Sequence, residues 1–326
     1  MLIAVAVVAL LAGCVAPAPS PAPSLTASGS ADPVAAAFPR GAAVVYTNAG
    51  VVRIAAPDGS GDVVVTSVPP GEQLHPDWSP AGDAVAFAVD DSDGTRDIWV
   101  ASDGGAVRRL VDCADPCAFT DDPAWSPDGT AIAFHRGVDG GGGRGVATLE
   151  TVPVAGGAAT VVATLPSTEY PFAPRWSPDG TRIVTEVITF ASEDIAEDAI
   201  SATRIAIIDV ADGSLTEIPG APVGAGSPDW SPDGTRILFS LSSSSTVIAS
   251  DLAWIPPEGG TPTPLTDVAR DGKRALLGTW TPDGALVIFD YETRLGDASS
   301  AQISTVSADG GEITTLFAGT HPRLRP

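Results

Sequence analysis

Positive charge is scarce in this chain. Seventeen Lys and Arg stand against 40 Asp and Glu in 326 residues, giving a formal charge of −23 and a pI near 4.2. Nucleic acid is thereby excluded as a partner, because phosphate binding needs clustered Lys and Arg. Cysteine is nearly absent, with three residues, and no run after Leu11 is long and apolar enough for a transmembrane helix. There is no Gly-x-Ser-x-Gly elbow, which removes a prolyl-oligopeptidase-like activity unless another chain supplies it. There is no Walker A loop either. Gly140 to Gly143 lack the flanking strand and helix that phosphate cradling requires and read as a plain loop.

What the chain does have is a repeat. Trp-Ser-Pro-Asp-Gly occurs at Trp125, Trp176 and Trp230, and in relaxed form at Trp78 and Trp280, so the tryptophans are 47, 51, 54 and 50 residues apart. Pro presets φ, Asp follows, and Gly supplies a left-handed residue, which together describe a type I turn with a glycine bulge joining antiparallel strands. An apolar run follows each turn. Phe87, Phe134, Phe239 and Phe289 lie nine residues after their tryptophans, and Thr185 holds that place in the fifth copy. A third strand, a second glycine turn and a fourth strand complete each repeat, which is the make-up of a propeller blade. The repeated tryptophans read as core between blades.

The two ends supply the closure. Ala42 to Ser67 carries three strands with no Trp motif in front, while Thr320 to Pro326 aligns with Leu74 to Pro80 and then stops. The expected fold is therefore all-β: a six-bladed β-propeller of four-stranded antiparallel blades over residues 40–326, closed by the C-terminal strand pairing with the N-terminal blade. On these repeats the chain resembles the WD40-like (PD40) repeats of the TolB propeller family.

Residues 1–13 form an apolar segment, and Leu11-Ala12-Gly13-Cys14 resembles the lipobox of bacterial lipoprotein signals. That resemblance implies cleavage before Cys14, its lipidation, and a cell-membrane location on the extracytoplasmic face. Residues 14–39, rich in Pro, Ala and Ser, are expected to form a tether. In that oxidising setting Cys113 and Cys117 are expected to form a disulfide, with a metal site as the alternative.

Long or irregular loops gather on one face of the expected disc, and that face is acidic, with Asp91, Asp93, Asp115, Asp121, Glu193, Asp194, Glu197 and Asp198. It favours a basic partner or a hard cation, or the acids serve only as solvated charge. Three residues before each Trp position the chain places His321, His75, Asp122, Ala173, Ser227 and Leu277, in ring order. His75, Asp122 and His321 are contiguous there and form a candidate divalent-metal set; propeller-type oligogalacturonate lyases are similar in placing a metal in the channel. The alternative role for such residues is turn capping. His135, next to Phe134, is expected to face solvent.

The leading functional expectation is a monomeric, non-catalytic module, without a cofactor, that binds an envelope protein or small ligand. A metal-dependent carbohydrate lyase or hydrolase, or an accessory or sensor subunit of a separate enzyme, is the alternative.

Overall fold

The structure, a computed structural model, describes residues 35–41, 43–67, 71–90, 94–114, 116–139, 144–192, 200–242, 249–294 and 300–326. The Trp-Ser-Pro-Asp-Gly copies form the hairpins their chemistry demands. At Ser126 the chain turns so that the Gly129 N–H donates to the Ser126 carbonyl and the Ser126 N–H to that of Ala131, both at 2.9 Å, with Gly129 at φ +72°. Asp128 Oδ1 accepts from the Ser126 hydroxyl (2.6 Å) and the Thr130 N–H (3.0 Å), locking the turn from inside.

Four sheets have four antiparallel strands each. The first pairs β1 (Val44–Asn48), β2 (Val51–Ala55) and β3 (Val63–Val64), with β24 (Thr320–Leu324) on the open side of β1. The second runs β4 (Glu72–Trp78), β5 (Ala84–Asp90), β6 (Arg96–Ser102), β7 (Val107–Val111). The third runs β8 (Cys117–Trp125), β9 (Ala131–Asp139), β10 (Arg144–Pro153), β11 (Thr160–Leu165), and the fourth β12 (Glu169–Trp176), β13 (Arg182–Phe190), β14 (Ile200–Asp209), β15 (Leu215–Glu217).

The expectation of six four-stranded blades is corrected by the rest of the chain. β16 (Ala225–Trp230), β17 (Ile237–Ser242) and β18 (Ser250–Ile255) continue through a parallel bridge into β20 (Arg274–Trp280), β21 (Leu286–Glu292), β22 (Ala301–Ser307) and β23 (Thr314–Ala318). With β19 (Thr263–Pro264) on the flank of β18 they make one eight-stranded sheet. The join is Ser250 opposite Arg274, where the Ser250 N–H reaches the Lys273 carbonyl (3.3 Å) and its hydroxyl the Ala275 carbonyl (3.0 Å). β19 is two residues long and contains Pro264, which has no N–H to donate, so little outer ladder competes with that join. The fold is an all-β propeller with four separate four-stranded blades and this fused sheet.

β4, β8, β12, β16, β20 and β24 each touch the next, and β24 touches β4, so these innermost strands surround a common axis. The second strand of each repeat is buried on both faces, since its alternate residues enter different cores. Val85 and Phe87 pack in one cluster while Ala84 and Ala86 pack in the next; Ile132 and Phe134 face one way and Ala133 the other.

Residues 35–38, expected as the end of the tether, are docked on the propeller instead. Phe38 is 6% exposed and meets Trp78 edge-on at 5.5 Å, while the Ala35 and Ala36 N–H groups donate to the Gly105 and Val65 carbonyls. Cys113 and Cys117 are joined in a disulfide.

Candidate functional site

The axis is lined by a repeated backbone device. His75, Asp122, Ala173, Ser227, Leu277 and His321 all have φ between +47° and +55°, and on β4, β8, β12, β16 and β20 the pairing register slips just at that residue. These are β-bulges, which re-aim a side chain, and left-handed backbone is costly for residues other than Gly. The bulges turn all six side chains toward one cavity, whose lining also includes Arg175 and Arg323. Its volume is about 20 Å³, room for one water molecule or one ion.

On one side of this cavity the ionisable groups crowd together. His75 Nδ1 lies 2.7 Å from Asp121 Oδ1 and 3.1 Å from Asp122 Oδ1. His135 Nδ1 is 3.5 Å from Asp122 Oδ2, and the His75 and His321 rings are 4.6 Å apart. His75 and His135 thus meet one pair of aspartates, and His321 lies against the His75 ring. One ligand atom from each of His75, Asp121 and Asp122 can be enclosed within 4.8 Å.

The supporting contacts fix this geometry. Asp121 is held by Arg96, which also grips Asp90. Asp122 Oδ2 accepts the Ala173 N–H (3.0 Å), so the acid of one sheet caps the bulge of the next. The same pattern recurs where Glu186 Oε2 accepts the Ser227 N–H (2.8 Å) and Asp290 Oδ1 the His321 N–H (2.9 Å). Gly226 leaves room for Glu186: a Cβ there would stand 2.6 Å from the carboxylate oxygen, which would have to shift.

Burial and charge set the protonation states. Burial opposes charge on His75, but Asp121 and Asp122 outweigh it and push its pKa up to about 9. Burial would raise Asp121, yet His75 and Arg96 hold it well below the usual carboxylate range. His135 is lowered by burial, and His321 well below its ordinary value by burial and then by His75. Both stay neutral, the form that ligates metals. Both ring nitrogens of His135 and Nδ1 of His321 are buried without a hydrogen-bond partner.

His75, Asp122 and His321 are brought together around the cavity. Asp121, expected among exposed loop acids, is corrected: it lies in β8, 2% exposed, and belongs to the cluster. His135 is corrected likewise, at 1% exposure, wedged against Phe172 (4.6 Å) and Phe119 (5.4 Å). Alternation put it opposite Phe134, but in this fold the opposite face is also packed. Cys14, Asp91, Asp93, Asp115, Glu193, Asp194, Glu197 and Asp198 lie outside the described residues.

Sequence reasoning missed Glu186 and Asp290. Their signal was register, since each stands directly after the position nine residues past its Trp, as His135 does. Burial pushes the Glu186 pKa up to about 7 from 4.5. Below pH about 4.5 the carboxyl is protonated in both folded and unfolded chains. Between 4.5 and 7 only the folded chain keeps the proton, so this group's contribution falls as pH rises and is fully unfavourable above 7. Glu186→Gln is expected to leave the thermal midpoint unchanged at pH 4. At pH 8 it should raise it by several degrees, from up to about 3 kcal/mol; equal midpoints at pH 8 would contradict this.

No family model matches the chain. In structure it is similar to TolB from Acinetobacter baumannii, at TM-score 0.64 and 18% identity, over 87% of this chain and 66% of that one. It is also similar to an oligogalacturonate lyase in complex with manganese, at TM-score 0.54 and 17% identity, over 83% of this chain and 71% of that one. In sequence it is 25% identical over 217 residues to an uncharacterized peptidase, YuxL, of Bacillus subtilis, covering 54% of this chain. The chain spans 30% of that relative's length. These likenesses establish a TolB-like propeller fold. They also correct the expectation that the chain is not an enzyme, because proteins named as a lyase and a peptidase stand among those it resembles.

Proposed function

We propose that this protein is a metal-dependent propeller of the bacterial cell envelope, tethered through a lipidated Cys14, that binds a ligand at the mouth of its axial channel and acts on it there. The observation that carries the reading is the grouping of His75, Asp121 and Asp122 within 4.8 Å of one another, with His135 against Asp122 and His321 against His75. The donor set fits a borderline divalent cation such as zinc or manganese, which imidazole and carboxylate suit, and the buried nitrogens of His135 and His321 without hydrogen-bond partners show that protein groups alone do not complete this polar cluster.

His75, Asp121 and Asp122 would hold the ion, with His321 beside the His75 ring and His135 behind Asp122. Bound, the ion supplies Lewis-acid polarisation of a ligand oxygen. Asp121, clamped by Arg96, orients the His75 ring, and the Ala173 N–H fixes Asp122. His75 must give up its proton to ligate, so metal affinity should climb as pH rises toward 9. The manganese-bound lyase among the structural neighbours supports carbohydrate cleavage as the first activity to assay. TolB among those neighbours supports a second reading, docking of an envelope protein on the same platform.

The test is elemental analysis and thermal denaturation after incubation with manganese or zinc and dialysis. About one ion per chain is expected, with a raised midpoint, roughly 2.7 kcal/mol when free metal is about 100-fold above Kd. Both effects should vanish in the His75→Ala/His321→Ala variant. Wild-type protein that retains neither metal would sink the proposal.

A further inference from the structure

We propose that the channel carries a second site of opposite sign: a small-anion site between Arg175 on β12 and Arg323 on β24. Each arginine lies two residues past a bulge position, Ala173 or His321, so it points to the same axis about 7 Å further along the strand. Both line the axial cavity together with the His75–Asp122 side.

Their donors are largely unused. A guanidinium offers five N–H groups. Arg175 Nη1 donates to the carbonyl of its own neighbour Pro174 (2.7 Å) and Arg323 Nη1 to that of Pro322 (3.2 Å). The Nε of each is buried with no partner. Leaving charged donors unmet away from water is costly, and two arginines facing each other across the axis add repulsion. Burial and then Arg175 lower the Arg323 pKa to about 10.

Two carboxylates share this layer, and both are committed elsewhere. Asp77 Oδ2 accepts the Trp125 N–H (2.8 Å), and Asp229 Oδ2 the Thr279 hydroxyl (2.6 Å). The ion pair between Asp77 Oδ1 and Arg323 Nε spans 3.9 Å, too long for a hydrogen bond. Asp229, Asp77 and Asp122 offset part of the arginine charge, but Asp77 and Asp229 direct these hydrogen bonds to other groups and leave the guanidinium donors unmet.

The space selects the occupant. A cavity of about 20 Å³ takes a halide or a formate-sized carboxylate. Arg175 also lines a groove of about 190 Å³ together with Asp77, Asp229, Trp78, Trp125 and Trp176. The cavity has room for one ion, so an anion held here and the metal of the reading above compete for the same space, although the two donor sets share no residue.

The experiment uses the propeller in chloride, bromide or formate against gluconate, at matched cation and ionic strength. A higher thermal midpoint is expected in the three small anions, and that difference should disappear in Arg175→Gln and in Arg323→Gln. Crystals of wild-type protein in bromide should show one anomalous peak within hydrogen-bonding reach of both guanidinium groups, and this measurement decides the matter should the variants not fold. A midpoint difference that persists in both variants, or water alone between the two arginines, would overturn the proposal.

Discussion

Removing residues 320–326 is expected to cost the propeller more than any single side-chain change, lowering the thermal midpoint by roughly 10–20 °C, or more than about 4–5 kcal/mol. β24 pairs with β1, and without it β1 becomes an open edge, with unpaired N–H and C=O groups beside a hydrophobic core. The loss spreads further. The Trp78 indole N–H donates to the Arg323 carbonyl (3.2 Å), the Arg325 N–H to that of Ala43 (2.8 Å), and the Arg325 guanidinium lies 4.6 Å over the Trp78 ring. Arg325→Ala serves as the comparison, because it removes the stacking and the bond to Pro39 while leaving the strand, for about 1 kcal/mol. Calorimetry of the three proteins measures both steps, and a truncated chain that melts within a few degrees of wild type would show that β24 is dispensable.

Phe87, Phe134, Phe239 and Phe289 should each cost about 3–5 kcal/mol when replaced by Ala. All four are 0% exposed, and each sits in a different core cluster. Because the clusters are separate, the Phe87→Ala/Phe239→Ala double variant should show the sum of the single losses within about 0.5 kcal/mol. Denaturant unfolding reads this directly, and a strong departure from additivity would mean the clusters are one coupled core. The fifth copy is instructive by contrast. Thr185, also 0% exposed, satisfies its hydroxyl on the Phe172 carbonyl (2.8 Å), so Thr185→Phe is an overpacking change.

The repeat of tryptophan turns was enough to read the strand pattern and to place His75, Asp122 and His321 at matching positions, because turn chemistry and spacing are local properties. Burial at the axis was not local. His135 looked exposed because alternation in a strand separates two faces, and only the packed neighbour on the second face turns that into a buried site. Asp121 looked like a loop acid because β8 begins at Cys117, earlier than its loop-like sequence suggests. Glu186 and Asp290 were hidden for the same reason as His135: the backbone N–H each one caps belongs to a strand of the next repeat, 41 and 31 residues away. The join of β18 to β20 rests on Ser250 opposite Arg274, a contact that carries no compositional mark.

The six left-handed bulges have a practical corollary. Their backbone shape is set by strand register and by capping from the neighbouring sheet, since it is shared by His75, Asp122, Ala173, Ser227, Leu277 and His321 alike. Side-chain identity is thus uncoupled from the scaffold, and the ring behaves as six interchangeable sockets around one opening. Ala173, Ser227 and Leu277 are the sockets that carry no ionisable group. Asn or Gly placed there would even relieve conformational tension, which makes the mouth a natural place to install new recognition chemistry by substitution alone.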